Sequence, residues 1–167
     1  TKIFSEGIDR EVIRPDLERL ARETGSYDEL ADIYEAAAGD MLPGDEGTAT
    51  LLRRAAEIRE QLGQNDDAIR VWKELLTELP QDRKALDSLS RLYELTKNAK
   101  NLSEVYAKKA QLTNDPAERL ELLLKAGEAF EQAGDDAPAI EAFKSALAIK
   151  KTVQALGALD RLYGRTK

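Results

Sequence analysis

Internal repetition constrains the fold of this 167-residue chain more than any other property. Ala55-Ala56-Glu57-Ile58 returns 71 positions later as Ala126-Gly127-Glu128-Ala129, Gly63 returns as Gly134, Ala68-Ile69 as Ala139-Ile140, and Trp72 as Phe143. A second series interleaves with it: Arg19-Leu20, Arg91-Leu92 and Arg161-Leu162 recur, as do Leu30 with Leu102 and Ile33-Tyr34 with Val105-Tyr106. Together they divide the chain into four 34-residue units, near 11–44, 49–82, 83–116 and 120–153. A unit of that size cannot bury its apolar face alone, so the units must stack.

The second unit shows what each one is. Leu51, Leu52, Ala55, Ile58 and Leu62 fall on one face of a helix, Gly63 ends it, and Ala68, Trp72, Leu75 and Leu79 mark the buried face of a second helix that Pro80 stops. The spacing therefore predicts an all-α fold of helix pairs joined by short turns.

These residues resemble the tetratricopeptide repeat. That family places small residues at the eighth and twentieth positions of each unit, Gly near the fifteenth, an aromatic at the twenty-fourth, a small residue at the twenty-seventh and Pro at the thirty-second. Ala56, Gly63, Ala68, Trp72 and Pro80 stand there in the second unit, with Leu75 departing from the small residue, and Gly127, Gly134, Ala139, Phe143 and Ala146 in the fourth, with Lys151 where Pro is usual. The first unit is similar through Gly25-Ser26-Tyr27-Asp28-Glu29-Leu30. The third is the most divergent, with Lys97 and Asn98 in the turn but Ser90, Leu102 and Tyr106 in place. The resemblance implies a right-handed α-solenoid of antiparallel helix pairs, a superhelix that binds protein or peptide segments.

The joins vary. Met41 to Thr48 reads as a lengthened loop between the first and second units, and Asn114-Asp115-Pro116 separates the third from the fourth, with Asp115 placed to cap the next helix. Extra residues thus fall at every second join, which makes the array a pair of doublets. Pro15 disfavours a helical Arg14, so the first helix is expected to start near Pro15 or Asp16, leaving residues 1–14 as a leader or the remnant of a preceding unit. Residues 15–167 then form one domain. Near 152–164 a capping helix is expected, presenting Leu156, Leu159, Leu162 and Tyr163 to the last pair. The chain begins at Thr1 without an initiator Met and reads as part of a longer protein, which leaves its compartment open.

Composition removes most chemistry. With no His and no Cys, the usual general base, thiol nucleophile and zinc ligands are missing, and no Gly-rich phosphate loop follows a strand. Asp66-Asp67 and Asp135-Asp136 recur where second helices start, facing the positive end of a helix dipole. No enzyme activity, cofactor or metal is expected. A net charge of −7 argues against nucleic acid, whose affinity rests on Lys and Arg displacing counterions, and no apolar run suits a membrane.

What packing leaves variable is the face that, in the family, lines the concave groove. The resemblance places Arg19, Glu57, Arg91, Glu128 and Arg161 at its ninth position, alternating in sign, Arg22, Glu60, Glu94 and Glu131 at its twelfth, and Arg53 and Leu124 at its fifth. Family members that grip a chaperone's C-terminal carboxylate use Lys and Asn there. Arg or Glu at the ninth position departs from that set. Two readings of the alternation stay open, a ladder of ion pairs between neighbouring helices and a groove charged for a partner. An architectural spacer, self-association through open ends, and an RNA-binding helical repeat are the alternatives; reversing Arg53 and Arg91 together is expected to weaken a groove partner.

Overall fold

A computed structural model describes residues 10–41 and 46–165, with side chains from 13 to 41 and from 47 to 165. Among the described residues all regular structure is helical: α1 (Arg10–Thr24), α2 (Tyr27–Gly39), α3 (Glu46–Gln61), α4 (Asn65–Glu78), α5 (Arg83–Leu95), α6 (Ala99–Leu112), α7 (Pro116–Ala133), α8 (Asp136–Ile149) and α9 (Val153–Arg165). The chain divides into two compact units, Thr1–Ala85 and Leu86–Lys167.

Each helix pair is closed at the same place by a residue in the left-handed region: Gly25 (φ 77°), Gly63 (72°), Lys97 (54°) and Gly134 (81°). In the three later turns the next amide reaches back to satisfy a helix-end carbonyl, Gln64 to Arg59, Asn98 to Tyr93 and Asp135 to Phe130, each at 2.9 Å. Lys97 makes the turn with a Cβ that this backbone disfavours. Asp115 caps α7 by accepting from the Ala117 amide at 2.9 Å, with Pro116 beside it, as the sequence predicts.

In the first unit α2 packs on α1 and α3, and α3 on α4. Tyr34, Leu52, Ala55, Ala56, Ala68, Trp72 and Leu75 form its dry interior. In the second, α7 packs between α6 and α8, and α9 packs on α8. Phe143 is wholly buried there among Ala139, Ala155, Ala158, Leu159 and Leu162. The pairing of small and aromatic residues follows from space: a Cβ on Gly127 would lie 2.7–2.9 Å from three atoms of the Phe143 ring.

Several sequence expectations need correction. The first helix begins at Arg10, with Pro15 inside it. The bias of a Pro against a helical predecessor is overridden by the turns on either side, although Pro15 offers no amide hydrogen to the ladder. Glu46 to Thr48 belong to α3 rather than to a loop, while residues 1–9 of the expected leader and 42–45 of the expected loop lie outside the described residues. Leu62 and Leu79 fall just past their helices and are 43% and 42% exposed, because the chain has already left the stripe. Of the Leu122-Leu123-Leu124 run, Leu122 is the buried member, since α7 meets both α6 and α8 and its apolar stripe is wide. In α9, Leu159 and Leu162 are buried, but Leu156 is exposed and Tyr163 is only partly covered, its hydroxyl meeting Lys144 of α8.

Candidate partner-binding face

The carboxylates at the twelfth position turn out to hold the aromatics of the same pair. Glu60 accepts from Trp72 Nε1 at 2.5 Å, and Glu94 accepts from the Tyr106 hydroxyl. Phe143 has no donor, so Glu131 instead accepts from Arg161 at 3.1 Å and Arg165 at 3.0 Å, tying α9 to α7. In the first pair the place is taken by Arg22, and the Tyr34 hydroxyl donates to Glu18 at 3.3 Å. Burial first, and then the neighbouring carboxylate, push both the Tyr34 and Tyr106 hydroxyls well above the usual phenol range.

Within each unit the ninth-position charges are engaged at other positions. Arg19 is satisfied within α1 by Asp16 at 3.5 Å and Glu23 at 3.1 Å. Glu57 pairs with Arg54 at 3.3 Å and with Lys84, Glu128 accepts from Gln154 at 2.7 Å, and Arg161 goes to Glu131. Arg91 is exposed and is also engaged.

Two other candidates are structural. Arg53 meets Asp82 at 2.6 Å, and Asp82 in turn accepts from the Ala85 amide at 2.8 Å, so the pair fixes the start of α5. Burial would raise the Asp82 pKa, but the Ala85 amide and Arg53 outweigh it and hold the carboxyl below its usual range. Leu124 is half-buried and packs against the cluster around Phe143.

One candidate remains available. Between α1, α2 and α3 lies a small cleft lined by Glu18, Arg22, Tyr27, Leu30, Arg54, Glu57, Ile58 and Gln61. Arg54 sits between Glu18 at 3.8 Å and Glu57 at 3.3 Å on one wall. Arg22 is exposed on the rim and has no hydrogen bond or ion pair among the described residues. Of the ten candidates, Arg22 and Glu57 line this cleft together.

Sequence reasoning missed Arg59. It is 6% exposed, and its guanidinium on α3 is held by Asp28, Asp32 and Glu35 of α2, the last at 2.9 Å, with Gln64 at 3.0 Å and Arg70 reaching Glu35 at 2.6 Å. Burial works against its charge, and the bonds to Glu35 and Asp32 more than compensate. The signal was present, since Asp28, Asp32 and Glu35 form an acidic stripe at i, i+4, i+7. In the second unit the counterpart of Arg59 is Phe130. There an open groove is lined by Ala107, Ala110, Leu123, Phe130, Pro138 and Ala142 among others, and Ala107 replaces Glu35.

Residues 121–149, spanning most of α7 and all of α8, match the tetratricopeptide repeat family model. The helix pair α7–α8 thus matches a tetratricopeptide repeat, within a series of helix pairs. The crystal structure of MamA protein has the same fold, with a TM-score of 0.50 and 18% identity over 98% of this chain and 83% of that one. A tetratricopeptide repeat protein from Parabacteroides merdae is similar at 0.49 and 20% identity, covering 89% of this chain and 60% of that one. PcrH in complex with the chaperone binding region of PopD is similar at 0.45 and 23% identity, covering 76% and 100%. No curated protein matches the chain in sequence. Among the described residues no group of His, Cys, Asp or Glu is arranged to hold a metal, and no helix is long and apolar enough to cross a membrane.

Proposed function

We propose that this tetratricopeptide-repeat array is a non-catalytic protein-binding module that takes a segment of a partner along the face made by its first helices. The supporting observation is the cleft between α1, α2 and α3. It offers a cation without a partner among the described residues, Arg22, above an apolar floor of Leu30 and Ile58, with the Tyr27 ring beside it. That combination suits a partner segment that brings an aliphatic side chain into the cleft and a carboxylate to the rim. Preformed helices keep the entropy cost of such binding low.

The structure changes which residues test this. Arg53 supports α5, and its reversal would disturb the fold as well as the face. Arg22→Glu changes a side chain that holds nothing in place. Affinity capture with the unaltered chain should retain a protein that the Arg22→Glu chain loses while its helical circular dichroism is unchanged. Equal retention by both would remove this cleft from the binding face.

A further inference from the structure

We propose that the open groove between α6, α7 and α8 is a second docking site, which takes an amphipathic helix of a partner protein, apolar along one face and carrying a carboxylate at one end. The groove lies within the array, and α9 packs on α8 after it, so the opening belongs to the join between two helix pairs and not to the last helix. In the first unit the equivalent place is closed by side chains. Arg59 is 6% exposed there, held by Asp28, Asp32 and Glu35, and Val71 is fully buried. Three exchanges empty it in the second unit: Phe130 stands for Arg59, Ala107 for Glu35 and Ala142 for Val71. The space left is about 500 Å³, within the roughly 300–1,000 Å³ of ordinary binding pockets. Phe130 is left partly exposed in it.

The cation has moved as well. Arg119, the first of the α7 residues that line the groove, stands where the first unit has Thr48. It is half-buried and donates Nη2 to the Thr113 carbonyl at 2.6 Å, while its Nε is shut off from solvent with no acceptor. Glu141 on the α8 wall is paired with Lys144 at 2.9 Å, whereas Arg119 meets no carboxylate among the described residues. A partly desolvated guanidinium without a counter-ion favours an incoming carboxylate, and an apolar surround strengthens the pairing. Leu123 and Phe130 follow Arg119 by four and eleven residues on the same face of α7, about 6 Å and 16 Å along the axis. A partner helix with Asp or Glu at one position and apolar residues four and eleven positions away presents the same spacing on one face. The small side chains of Ala107, Ala110 and Ala142 let it approach closely. This site does not rest on the cleft beneath Arg22.

Selection of a helix-forming peptide library on the full chain, followed by calorimetric titration of the enriched peptides, tests the proposal. Those peptides should share the spacing of one carboxylate and two apolar residues. A chain with Ala107→Glu, Phe130→Arg and Ala142→Val, which carries the first unit's residues, should bind them at least about tenfold more weakly with helical circular dichroism unchanged. Arg119→Gln keeps a donor for Thr113 and should weaken an acidic peptide about tenfold, yet leave unchanged the same peptide with its carboxylate replaced by an amide. That cycle reads the site even if the triple variant folds poorly. A selection yielding only peptides that Arg22→Glu releases, equal binding by a well-folded triple variant, or an amide peptide as sensitive to Arg119→Gln as the acid would each overturn the proposal. So would self-association of the parent that the triple variant abolishes, since the occupant would then be a second copy of this chain.

Discussion

Replacing Gly127 with Ala sets two effects of known size against each other. Gly127 lies inside α7, where Ala is favoured over Gly by about 1 kcal/mol of helix propensity. The added methyl would sit 2.7–2.9 Å from Cζ, Cε1 and Cε2 of Phe143, whereas carbon atoms rest about 3.5–4.0 Å apart. Phe143 is fully buried and cannot swing aside, so α7 and α8 must separate or the ring must leave its rotamer. Overpacking of this kind costs about 1–3 kcal/mol, and with three contacts this short the upper half of that range applies. The net effect expected for Gly127→Ala is a loss of about 1–2 kcal/mol. Gly157→Ala in α9 is the control. Its methyl would meet only Arg161 Nη1 at 3.9 Å, so the propensity gain of about 0.5–1 kcal/mol should appear undiminished. Urea unfolding of both variants at low protein concentration, followed by circular dichroism, should move the midpoint in opposite directions. On a Phe143→Leu background the Gly127→Ala penalty should disappear, giving a favourable coupling in the double-mutant cycle. If Gly127→Ala raises the midpoint as Gly157→Ala does, close approach of α7 and α8 is not what the eighth position provides.

Lys97→Gly should stabilise the chain by about 1 kcal/mol, read as a higher urea midpoint, because it removes a Cβ from a left-handed turn residue that is Gly in the other three pairs. Arg59→Ala should cost about 2–3 kcal/mol in the same assay, less than for a fully buried ion pair because Asp28 and Asp32 are 57% and 68% exposed and stay hydrated. Tyr34, Tyr93 and Tyr106 all have raised hydroxyl pKa values, caused first by burial and then by nearby carboxylates. The unfolded chain releases those protons more readily, so the stability they confer is complete below about pH 10 and is lost as pH rises beyond it. Tyrosinate absorbance and helical circular dichroism, followed together in an alkaline titration, should show these three ionising only as the helices melt; full ionisation of every tyrosine with the helices intact would contradict this.

The helices, their register and the aromatic core were legible because each leaves a local mark: a 3.6-residue stripe, a Gly at the turn, a small residue set against a large one. The charges were not legible in the same way. Glu60, Glu94 and Glu131 occupy one position in three units, yet two hold an aromatic and the third holds α9, a choice decided by whether Trp72, Tyr106 or Phe143 offers a donor. Arg19 and Arg22 look alike as sequence, but only Arg19 pairs with carboxylates of its own helix, because Glu18, four residues before Arg22, is turned to Tyr34 and Arg54. The resemblance likewise placed Leu124 on the groove face, whereas packing by two neighbouring helices widened the apolar stripe of α7 to include it. What a long polar side chain touches depends on its rotamer and on distances between helices, neither of which one sequence encodes locally.

The substitution of Phe130 for Arg59 at one structural position makes the two units respond to different solvent variables. Where Arg59 is clamped by Asp28, Asp32 and Glu35, cohesion across α2, α3 and α4 is partly ionic, and two of the three carboxylates are exposed enough for added salt to screen them. Around Phe130 cohesion is apolar, and such contacts weaken on cooling rather than by charge screening. A repeated architecture has thereby acquired one salt-sensitive half and one cold-sensitive half without any change in backbone plan.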